Sequence, residues 1–489
     1  MGGARMTSYN DRVEGVLLAT AAGDALGAPY EFQPPRGPNL EVAMVGGGPW
    51  AAGEWTDDTS MAIAIAEVAA TGADLRDAYA QDLIVQRWRE WSLTAKDVGI
   101  QTRSILAAAS REGVITAAKA RAESIKMHKH SGCTAGNGAL MRTAPVALAY
   151  IDDEHALVEA ARAISELTHF DPDAGDACVL WSCAIRHAVR TSELDVRVGL
   201  RHLEPGRRAL WAERLVEAEA RPPASFPNNG WVVTAMQAAW SAITTSPAGA
   251  FPADHLRLGL DAAVRAGYDT DTVAAIAGGL LGAAYGASAV PGEWRLLLHG
   301  WPGIHAHDLV ALATAIERKG KPDEFDFSYP GSPIHTCARH PYDDGVLLGG
   351  IGVLRRLPDE VDAVVSLCRL ADEDMRTDIP HVEVRLIDRS EHDENPHLDF
   401  ILLDAVKLVE RFRRQGRTVL VHCVGAYSRT PTIGALYGAR LRRVDVDDAI
   451  RDITAVLPGA NPNRAFRVAL RRIRFRSSDT QTGGQYVEQ

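Results

Sequence analysis

Residues 55–70 read WTDDTSMAIAIAEVAA, and this stretch decides how the first half of the chain folds. An Ala- and Ile-rich run of helical length follows directly after an acidic tetrapeptide. Alanine has the highest helix propensity, and Asp or Thr before an apolar run is a typical helix start. The stretch therefore predicts a helix over Ser60–Ala70 that carries two carboxylates at its N-terminus.

Segments of the same character continue to Lys319, without the alternating Val, Ile and Thr runs that favour strands. Further helices are predicted over Gly138–Tyr150, His155–Leu167, Asp176–Val189, Trp231–Ile243 and Thr272–Ala287. We therefore expect a first domain over residues 8–318 that is an all-α bundle.

The composition changes after Gly320, where the stretch KPDEFDFSYPGSP is typical of a linker or an edge element. Strands are predicted over Gly345–Leu348, Ala363–Leu367, His381–Ile387 and Thr418–His422. Helices are predicted between and after them over Asp399–Arg414, Thr432–Arg440, Val446–Val456 and Asn463–Arg472. This alternation favours an α/β domain over residues 319–476, followed by a polar, flexible tail over residues 477–489.

The 489 residues have an ordinary globular composition, with 46% hydrophobic and 24% charged residues. The net charge of −11 argues against general nucleic-acid binding, because phosphate backbones require a basic surface. Arg-rich segments over residues 411–417 and 464–476 still permit a local anion site. The six cysteines form no CxxC pair, and no signal peptide or membrane span is visible, so we expect a cytoplasmic protein without a membrane partner.

A second acidic helix start, Asp269-Thr270-Asp271-Thr272, matches the first one in form. One such motif is more often a helix cap than a metal site. Two matching motifs far apart in the chain favour a metal site, because clustered oxygen ligands suit hard cations such as Mg²⁺ or Mn²⁺. If the two loops converge, their four carboxylates favour two ions, which can activate water and polarise an anionic substrate.

Two further segments, GDALGAPYEF over residues 23–32 and AGNGALMR over residues 135–142, carry weaker signals. Glu31 follows a bend at Pro29 and is equally readable as a solvated residue at a helix end. Asn137 between two glycines can offer backbone N–H groups to a diphosphate, although Gly-Asn-Gly is also an ordinary turn.

Together these segments resemble the ADP-ribosylglycohydrolase family. The matching segments are, in order, GDALGAPYEF, WTDDTSMAIAIAE, KDVGIQTR, GNGALMRTAPVAL, LTHFDP, NGWVVTAMQAAW and GYDTDTVAAIAGGLLGAAYG. The resemblance implies an all-α bundle with two Mg²⁺ or Mn²⁺ ions that hydrolyses an ADP-ribosyl glycosidic bond on a macromolecule. Arginine-linked ADP-ribose on a protein is the first choice of substrate, and serine- and nucleic-acid-linked ADP-ribose stay open.

The resemblance also implies roles for single residues. The metal ligands would be Thr56, Asp57, Asp58, Asp269, Asp271 and Thr272. Glu31 would lie beside the metals and position water or the scissile bond, and Asp58 would also serve catalysis. The residues on the substrate side would be Asp24, Gly136, Asn137, Gly138 and His169. His169 is equally compatible with a capping or core role.

The second half of the chain contains the stretch VLVHCVGAYSRT over residues 419–430, in which five residues separate Cys423 from Arg429. A strand followed by such a loop and a helix can wrap a phosphate with backbone N–H groups, while Arg429 binds two of its oxygens. The helix N-terminus and Arg429 would also favour an exposed thiolate nucleophile at Cys423. The alternative is a buried cysteine at a strand end beside a surface arginine.

Residues 325–472 resemble the dual-specificity branch of the protein tyrosine phosphatase superfamily. The resemblance implies hydroxyl positions at Ser428 and Thr430 that help the leaving thiolate, and a general acid at Asp388, with Asp393 as the alternate. One position departs from the family pattern, because Ala426 stands where a glycine is usual. If that position needs a positive φ, alanine there costs about 1 kcal/mol.

Two alternatives to a metal-dependent glycohydrolase remain open. The chain could be a non-catalytic reader that binds ADP-ribose or a phosphate-containing ligand. It could also be a phosphatase, acting on a phosphoprotein or an ADP-ribose-related phosphate, whose N-terminal domain serves recognition.

Overall fold

The structure, a computed structural model, describes residues 2–111, 113–322, 327, 329, 336–390 and 394–473. The chain divides into two compact units, Met1–Glu324 and Phe325–Gln489. The prediction of a helical unit followed by a smaller unit with a sheet is confirmed. The tail over residues 477–489 and most of the stretch KPDEFDFSYPGSP lie outside the described residues.

Helices make up nearly all of the regular secondary structure described for the first unit. They are α1 (Gly2–Gly27), α2 (Asp57–Ala69), α3 (Ala78–Ser92), α4 (Ile100–Ala109), α5 (Ala117–Ser131), α6 (Ala144–Ala149), α7 (Glu154–Glu166), α8 (Pro172–Thr191), α9 (Pro205–Ala220), α10 (Val232–Thr245), α11 (Asp254–Arg265), α12 (Thr270–Tyr285), α13 (Gly292–Leu297) and α14 (Ala306–Glu317). Two short antiparallel strands, β1 (His299–Gly300) and β2 (Ile304–His305), are the exception to the expected all-α unit. Among the described residues, no helix combines the length and the apolar character needed to cross a bilayer.

Two helices of this unit differ from the sequence prediction. The helix predicted over Gly138–Tyr150 is divided into a 3-10 turn, Asn137–Ala139, and the separate helix α6. Pro145 in the first turn of α6 has no N–H to donate, so a continuous helix through it would lose a hydrogen bond. Helix α1 has no predicted counterpart, because its residues from Val16 onward are buried on all sides and show no amphipathic period.

Helices α1 and α12 pack backbone against backbone along a seam of glycines. A Cβ atom at Gly23 would lie 2.1 Å from Ala274 O, and a Cβ atom at Gly278 would lie 2.1 Å from Ala19 O. Real Cβ atoms do not approach a carbonyl oxygen this closely, so only glycine fits at either position. The seam therefore brings the two helices closer together than ordinary side chains would allow.

The second unit is built on a five-stranded sheet with the strand order β3-β4-β7-β5-β6. The strands are β3 (Cys337–His340), β4 (Asp343–Gly350), β5 (Ala363–Ser366), β6 (His381–Glu383) and β7 (Val419–Cys423). The helices are α15 (Ile351–Arg355), α16 (Leu398–Arg414), α17 (Arg429–Arg442), α18 (Val446–Val456) and α19 (Arg464–Arg472). Strand β3 pairs antiparallel with β4, and all other neighbours are parallel.

Strand β7 lies in the centre of the sheet, between β4 and β5. Cys423 is its last residue and pairs with Gly350, and α17 begins six residues later at Arg429. Ligands of parallel α/β sheets bind at the carboxyl ends of the strands. The topology therefore predicts a ligand site at the loop between Cys423 and Arg429.

We expect Gly278→Ala to destabilise the helical unit, because the added methyl group would overlap Ala19 O. Overpacking of this kind costs about 1–3 kcal/mol. Gly206→Ala on α9 is the matched control, because its Cβ would meet no atom within 4 Å. Thermal unfolding followed by circular dichroism should show a lower melting temperature for Gly278→Ala and an unchanged or higher one for Gly206→Ala. Equal melting temperatures for Gly278→Ala and the wild type would contradict the seam.

Candidate functional site

The two acidic helix starts meet where α2 and α12 begin. Ligand oxygens of Asp24, Asp58 and Asp271 lie within 4.8 Å of one another, and those of Glu31, Asp269 and Asp271 do the same. Asp271 belongs to both groups and joins them into one set, which we call the acidic cluster. The two loops converge, as a shared metal site would require.

The C-terminal end of α1 positions the start of α12. A Cβ atom at Gly27 would lie 2.4 Å from the Cα of Asp271, so the two backbones are in direct contact. Thr270 Oγ1 donates a hydrogen bond to Gly27 O at 2.9 Å. The glycine seam thus extends to the acidic cluster and sets where Asp271 lies.

Asp24 has a different environment from the substrate contact that the resemblance implies. Its side chain is completely buried. Its two oxygens accept hydrogen bonds from the backbone N–H groups of Thr56 and Thr59, each at 2.9 Å. Both groups belong to the start of α2, so this carboxylate from α1 caps α2 and holds Asp58 in place. The geometry favours a positioning role over contact with a substrate.

Asn137 also differs from its predicted role. Its backbone N–H already donates to Gly230 O at 3.1 Å, so it is not free for a diphosphate. Its side-chain Nδ2 donates to Asp269 Oδ2 at 2.8 Å. The Oδ1 atom of Asn229 accepts the backbone N–H of Asp269 at 3.1 Å. Nothing in the sequence marks Asn229 as a site residue, because a single Asn in a turn carries no signal until the fold brings it to Asp269.

The acidic cluster concentrates negative charge. Burial and the neighbouring carboxylates raise the pKa of Asp58 and of Asp271 well above the usual range. Burial and the charge of Asp269 raise the pKa of Glu31 to about 8. Burial and a nearby carboxylate raise the pKa of Asp57 to about 7. All these shifts have the same sign, because burial and adjacent negative charges both disfavour ionisation of a carboxyl group.

The donor set of the cluster fits a divalent cation. In the part of the chain that the structure describes, the buried atoms Asp58 Oδ1 and Asp271 Oδ1 have no hydrogen-bond partner. A buried carboxylate oxygen is costly unless a hydrogen bond or a metal satisfies it. Carboxylate and hydroxyl oxygens are the ligands that Mg²⁺ and Mn²⁺ prefer. These two oxygens are therefore the clearest candidates for metal ligation.

The other predicted ligands border the cluster. Thr56 Oγ1 donates to Asp58 Oδ2 at 3.0 Å, so the hydroxyl lies within the site. Thr272 is buried and its side chain hydrogen-bonds to Asp269. Asp57 belongs to neither group of three carboxylates, and its Oδ2 accepts the N–H of Gly99 at 3.4 Å.

His169 lies against the Gly136–Gly138 loop. A Cβ atom at Gly138 would lie 3.0 Å from its Cε1, so a side chain at this position would force the His169 ring to shift. Thr168 Oγ1 lies 2.7 Å from His169 Nδ1 and accepts a hydrogen bond from the buried Arg142, also at 2.7 Å. Arginine can only donate, so the single proton of the Thr168 hydroxyl is available to His169 Nδ1, and in the tautomer that accepts it the ring proton is on Nε2. Burial and Arg142 lower the pKa of His169 to about 3, which keeps the ring neutral.

The Cys-x5-Arg loop of the second unit has an internal strain. Ala426 has a φ of 57°, so the residue that replaces the usual glycine does adopt the left-handed conformation. Arg429 donates to the carbonyl oxygens of Leu367 at 3.0 Å and Leu386 at 3.2 Å. Its buried Nε has no hydrogen-bond partner among the described residues. An unsatisfied guanidinium N–H beside this loop fits an anionic ligand.

The predicted general acid lies next to this arginine. Asp388 Oδ2 is 3.8 Å from Arg429 Nε, and Asp388 Oδ1 accepts a hydrogen bond from Asn463 Nδ2 at 3.0 Å. The backbone N–H of Asn463 donates to Ser428 Oγ at 3.2 Å. Asn463, which no sequence motif marks as a site residue, thus links the acid to the loop. The alternate acid, Asp393, lies outside the described residues.

Two residues of the loop depart from their predicted state. Cys423 is buried and not exposed as expected of a free thiolate, because β4 and β5 flank its strand. Thr430 is completely buried, and its hydroxyl donates to Gly349 O at 3.2 Å. That hydroxyl therefore ties α17 to β4 in this structure, whereas the resemblance implies a contact with the thiolate.

Comparison with known proteins gives separate results for the two units. The sequence profile described as ADP-ribosylglycohydrolase matches residues 5–323. The chain is 31% identical over 294 residues to ADP-ribosylarginine hydrolase Tri1 of Pseudomonas putida, covering 58% of this chain and 73% of that protein. It is 30% identical over 301 residues to the ADP-ribosyl-(dinitrogen reductase) glycohydrolase of Rhodospirillum rubrum, covering 59% and 90% of the two chains.

The C-terminal region is similar to dual-specificity phosphatases. It is 28% identical over 123 residues to dual specificity protein phosphatase 1 of Arabidopsis thaliana, and the match covers 25% of this chain and 57% of that protein. This relative is matched over little more than half of its length. The resemblance of both units to the families inferred from the sequence is confirmed.

We expect Asp271→Asn to stabilise the metal-free protein at neutral and alkaline pH. Glu31 and the cluster aspartates have folded-state pKa values above their ordinary values, so the metal-free fold is favoured by protonation. Its stability should therefore fall as the pH rises from about 4, the ordinary carboxyl pKa, towards about 8 for Glu31. Thermal unfolding in EDTA should show an advantage of Asp271→Asn that grows with pH over this range.

Added Mg²⁺ or Mn²⁺ should make the wild type more stable than Asp271→Asn, the reverse of the order expected in EDTA. The wild type should gain stability from the metal, because ligand binding to the folded state stabilises it, and Asp271→Asn should gain much less. A wild-type melting temperature that does not respond to either metal would contradict the metal assignment.

Proposed function

This chain belongs to the ADP-ribosylglycohydrolase family, and we propose that its first unit removes ADP-ribose from arginine side chains of proteins with the help of two divalent cations. The observation that carries the proposal is the pair of buried, unpartnered oxygens on Asp58 and Asp271 within the acidic cluster. The arginine linkage is supported by the similarity to ADP-ribosylarginine hydrolase Tri1 of Pseudomonas putida.

The cation ligands would be drawn from the acidic cluster and its border. They are Thr56, Asp57, Asp58, Asp269, Asp271 and Thr272. When bound, Mg²⁺ or Mn²⁺ supplies the positive charge that orients ribose hydroxyls and promotes ionisation of water. Asp24 and Asn137 hold the ligands Asp58 and Asp269 in position through the hydrogen bonds described above.

The protein groups around the cluster would handle the sugar and the proton. Cleavage of a glycosidic bond builds positive charge on the ribose, which nearby carboxylates stabilise. Glu31 lies half-buried at the edge of the cluster, where its carboxyl group can orient the attacking water and take its proton. His169 is neutral, and in the tautomer whose Nδ1 accepts from Thr168 its Nε2–H would donate a hydrogen bond to the substrate beside the Gly136–Gly138 loop.

We expect the protein to release ADP-ribose from an arginine-ADP-ribosylated protein in Mg²⁺ and not in EDTA. Asp58→Asn should lower this rate at least a hundredfold, since loss of one key electrostatic group typically costs about that much. Asp77→Asn is the matched control, because Asp77 is exposed at the start of α3 and its side chain caps no N–H. Release of ADP-ribose can be followed by chromatography.

The release experiment distinguishes a glycohydrolase from a protein that binds ADP-ribose without cleaving it. Tight binding of ADP-ribose without any release from arginine, serine or nucleic-acid conjugates would reject the proposed glycohydrolase activity and favour a binding protein. Release that persists unchanged in EDTA would reject the dependence on a metal.

We also propose a second activity for the other unit, on the basis of the buried Nε of Arg429 beside the Cys423 loop, which has no hydrogen-bond partner among the described residues and lies 3.8 Å from Asp388 Oδ2. The similarity to dual-specificity phosphatases supports a cysteine-dependent phosphatase. Cys423 would attack the phosphorus atom, and Arg429 with the N-terminus of α17 would bind the phosphoryl oxygens. Asp388, held by Asn463, would protonate the leaving oxygen.

We expect hydrolysis of p-nitrophenyl phosphate by the wild type and its loss in Cys423→Ser.

Ala426→Gly should preserve or raise the rate of this hydrolysis, since glycine relieves a left-handed alanine by about 1 kcal/mol. Ala439→Gly, at an equally buried position inside α17, is the matched control and should destabilise the unit by about 1 kcal/mol. Hydrolysis that survives Cys423→Ser would reject the nucleophile, and binding of vanadate without turnover would indicate a phosphate reader.

A further inference from the structure

Two aromatic residues beside the acidic cluster have an unfavourable backbone conformation. Phe32 has a φ of 60° and Tyr268 has a φ of 61°, both in the left-handed region. Phe32 directly follows Glu31, and Tyr268 directly precedes Asp269. Bulky residues with a positive φ are rare because the Cβ atom crowds the backbone.

A backbone bridge requires this conformation but does not require aromatic side chains. The N–H of Phe32 donates to Tyr268 O at 2.6 Å, and the N–H of Tyr268 donates to Gln33 O at 2.7 Å. These two hydrogen bonds tie the loop of Glu31 to the loop of Asp269. Glycine would adopt the same conformation without strain. The side chains must therefore have a separate reason to be present.

Packing does not supply that reason. Phe32 is 80% exposed and Tyr268 is 40% exposed, so neither ring is buried in the core. By contrast, Ala426 is buried, and Ser192, Lys319 and Arg443 are polar residues at helix ends, where a left-handed residue is common. The other two aromatic residues with a positive φ have a contact that holds them, because Tyr329 donates its hydroxyl to Arg369 O at 2.8 Å and the Phe327 ring lies 4.7 Å from the Arg369 guanidinium. Strain that packing does not offset is typical of functional positions.

The residues that directly flank these rings on the side of the site, Glu31 and Asp269, are both carboxylates of the acidic cluster. Among the described residues, no Lys, Arg or His forms an ion pair with Glu31, Asp57 or Asp269. This side of the site would repel the anionic diphosphate of a substrate and attract a cation. A guanidinium group is planar, stacks on aromatic faces and pairs with carboxylates.

We propose that Phe32 and Tyr268 form an aromatic rim that binds the acceptor side of the substrate, namely the guanidinium group of the ADP-ribosylated arginine. The inference rests on the proposed function and adds to it the residues that select the acceptor. The rim acts on the acceptor alone, so the ADP-ribose part is bound independently of it.

Four variants separate the ring from the strain. Phe32→Gly and Tyr268→Gly remove both, whereas Phe32→Ala and Tyr268→Ala remove the ring and keep the strained φ. Tyr79→Ala is the matched control, because Tyr79 is an exposed aromatic residue on α3 with an ordinary helical backbone.

Each variant is tested with Mg²⁺ on an arginine-ADP-ribosylated peptide and, by calorimetry, on free ADP-ribose. The KM for the peptide should rise about tenfold in all four rim variants, roughly the effect of one desolvated cation–π contact. The affinity for ADP-ribose should stay within about twofold of the wild type, and Tyr79→Ala should leave both values unchanged. The glycine variants should melt at a higher temperature than the alanine variants, because glycine alone relieves the strain.

An unchanged KM for the peptide would overturn the rim. An equal loss of affinity for ADP-ribose would also overturn it, since the rings would then bind the nucleotide part. If the wild type releases no ADP-ribose at all, the proposed function fails, and the rim is judged by binding of the same peptide. A wild type that binds the modified peptide no more tightly than ADP-ribose, or rim variants that bind it as tightly as the wild type, would then overturn the rim.

Discussion

The direct contact between the backbones of α1 and α12 is the constraint on which the first unit depends. Gly23 and Gly278 allow it, because any Cβ atom at either position would overlap a carbonyl oxygen of the other helix. The same contact continues through Gly27 to the start of α12 and so determines where Asp271 lies. Functional groups must be held to about 0.5 Å to act together, and a rigid seam provides this better than flexible side chains.

Such rigidity is needed because the groups that it holds repel one another. Asp58 and Asp271 are buried, Asp269 is half-buried beside them, and the raised pKa values of all three express the free-energy cost of that arrangement. Hydrogen bonds from backbone N–H groups to Asp24, and from Asn137 to Asp269, offset part of the cost. A bound cation would offset the remaining cost. The grouping of carboxylates that destabilises the metal-free fold is therefore also what makes it a cation-binding site.

The two candidate sites share a local arrangement, although they belong to different folds. In each one, functional side chains lie where a helix begins, at Asp58 on α2, Asp271 on α12 and Arg429 on α17. Backbone strain also occurs beside both sites, at Tyr268 in the first and at Ala426 in the second. The strained Ala426 is buried in its loop, whereas the strained Tyr268 is exposed. The strain at Ala426 is therefore explained by the geometry of the loop, and the strain at Tyr268 by the proposed role in substrate recognition.

The sequence by itself determined the helical character of the first unit, the α/β pattern of the second and the residue types of both sites, because period, composition and motif are properties of contiguous residues. Even the strain at Ala426 was foreseeable from the missing glycine. Only the tertiary structure decided that Asp24 accepts hydrogen bonds from the start of α2, that the Asn137 side chain donates to Asp269, and that Asn229 and Asn463 hydrogen-bond to residues of the two sites. The physical reason is that a hydrogen bond between residues more than a hundred positions apart, as between Asn137 and Asp269, depends on packing that no local pattern contains.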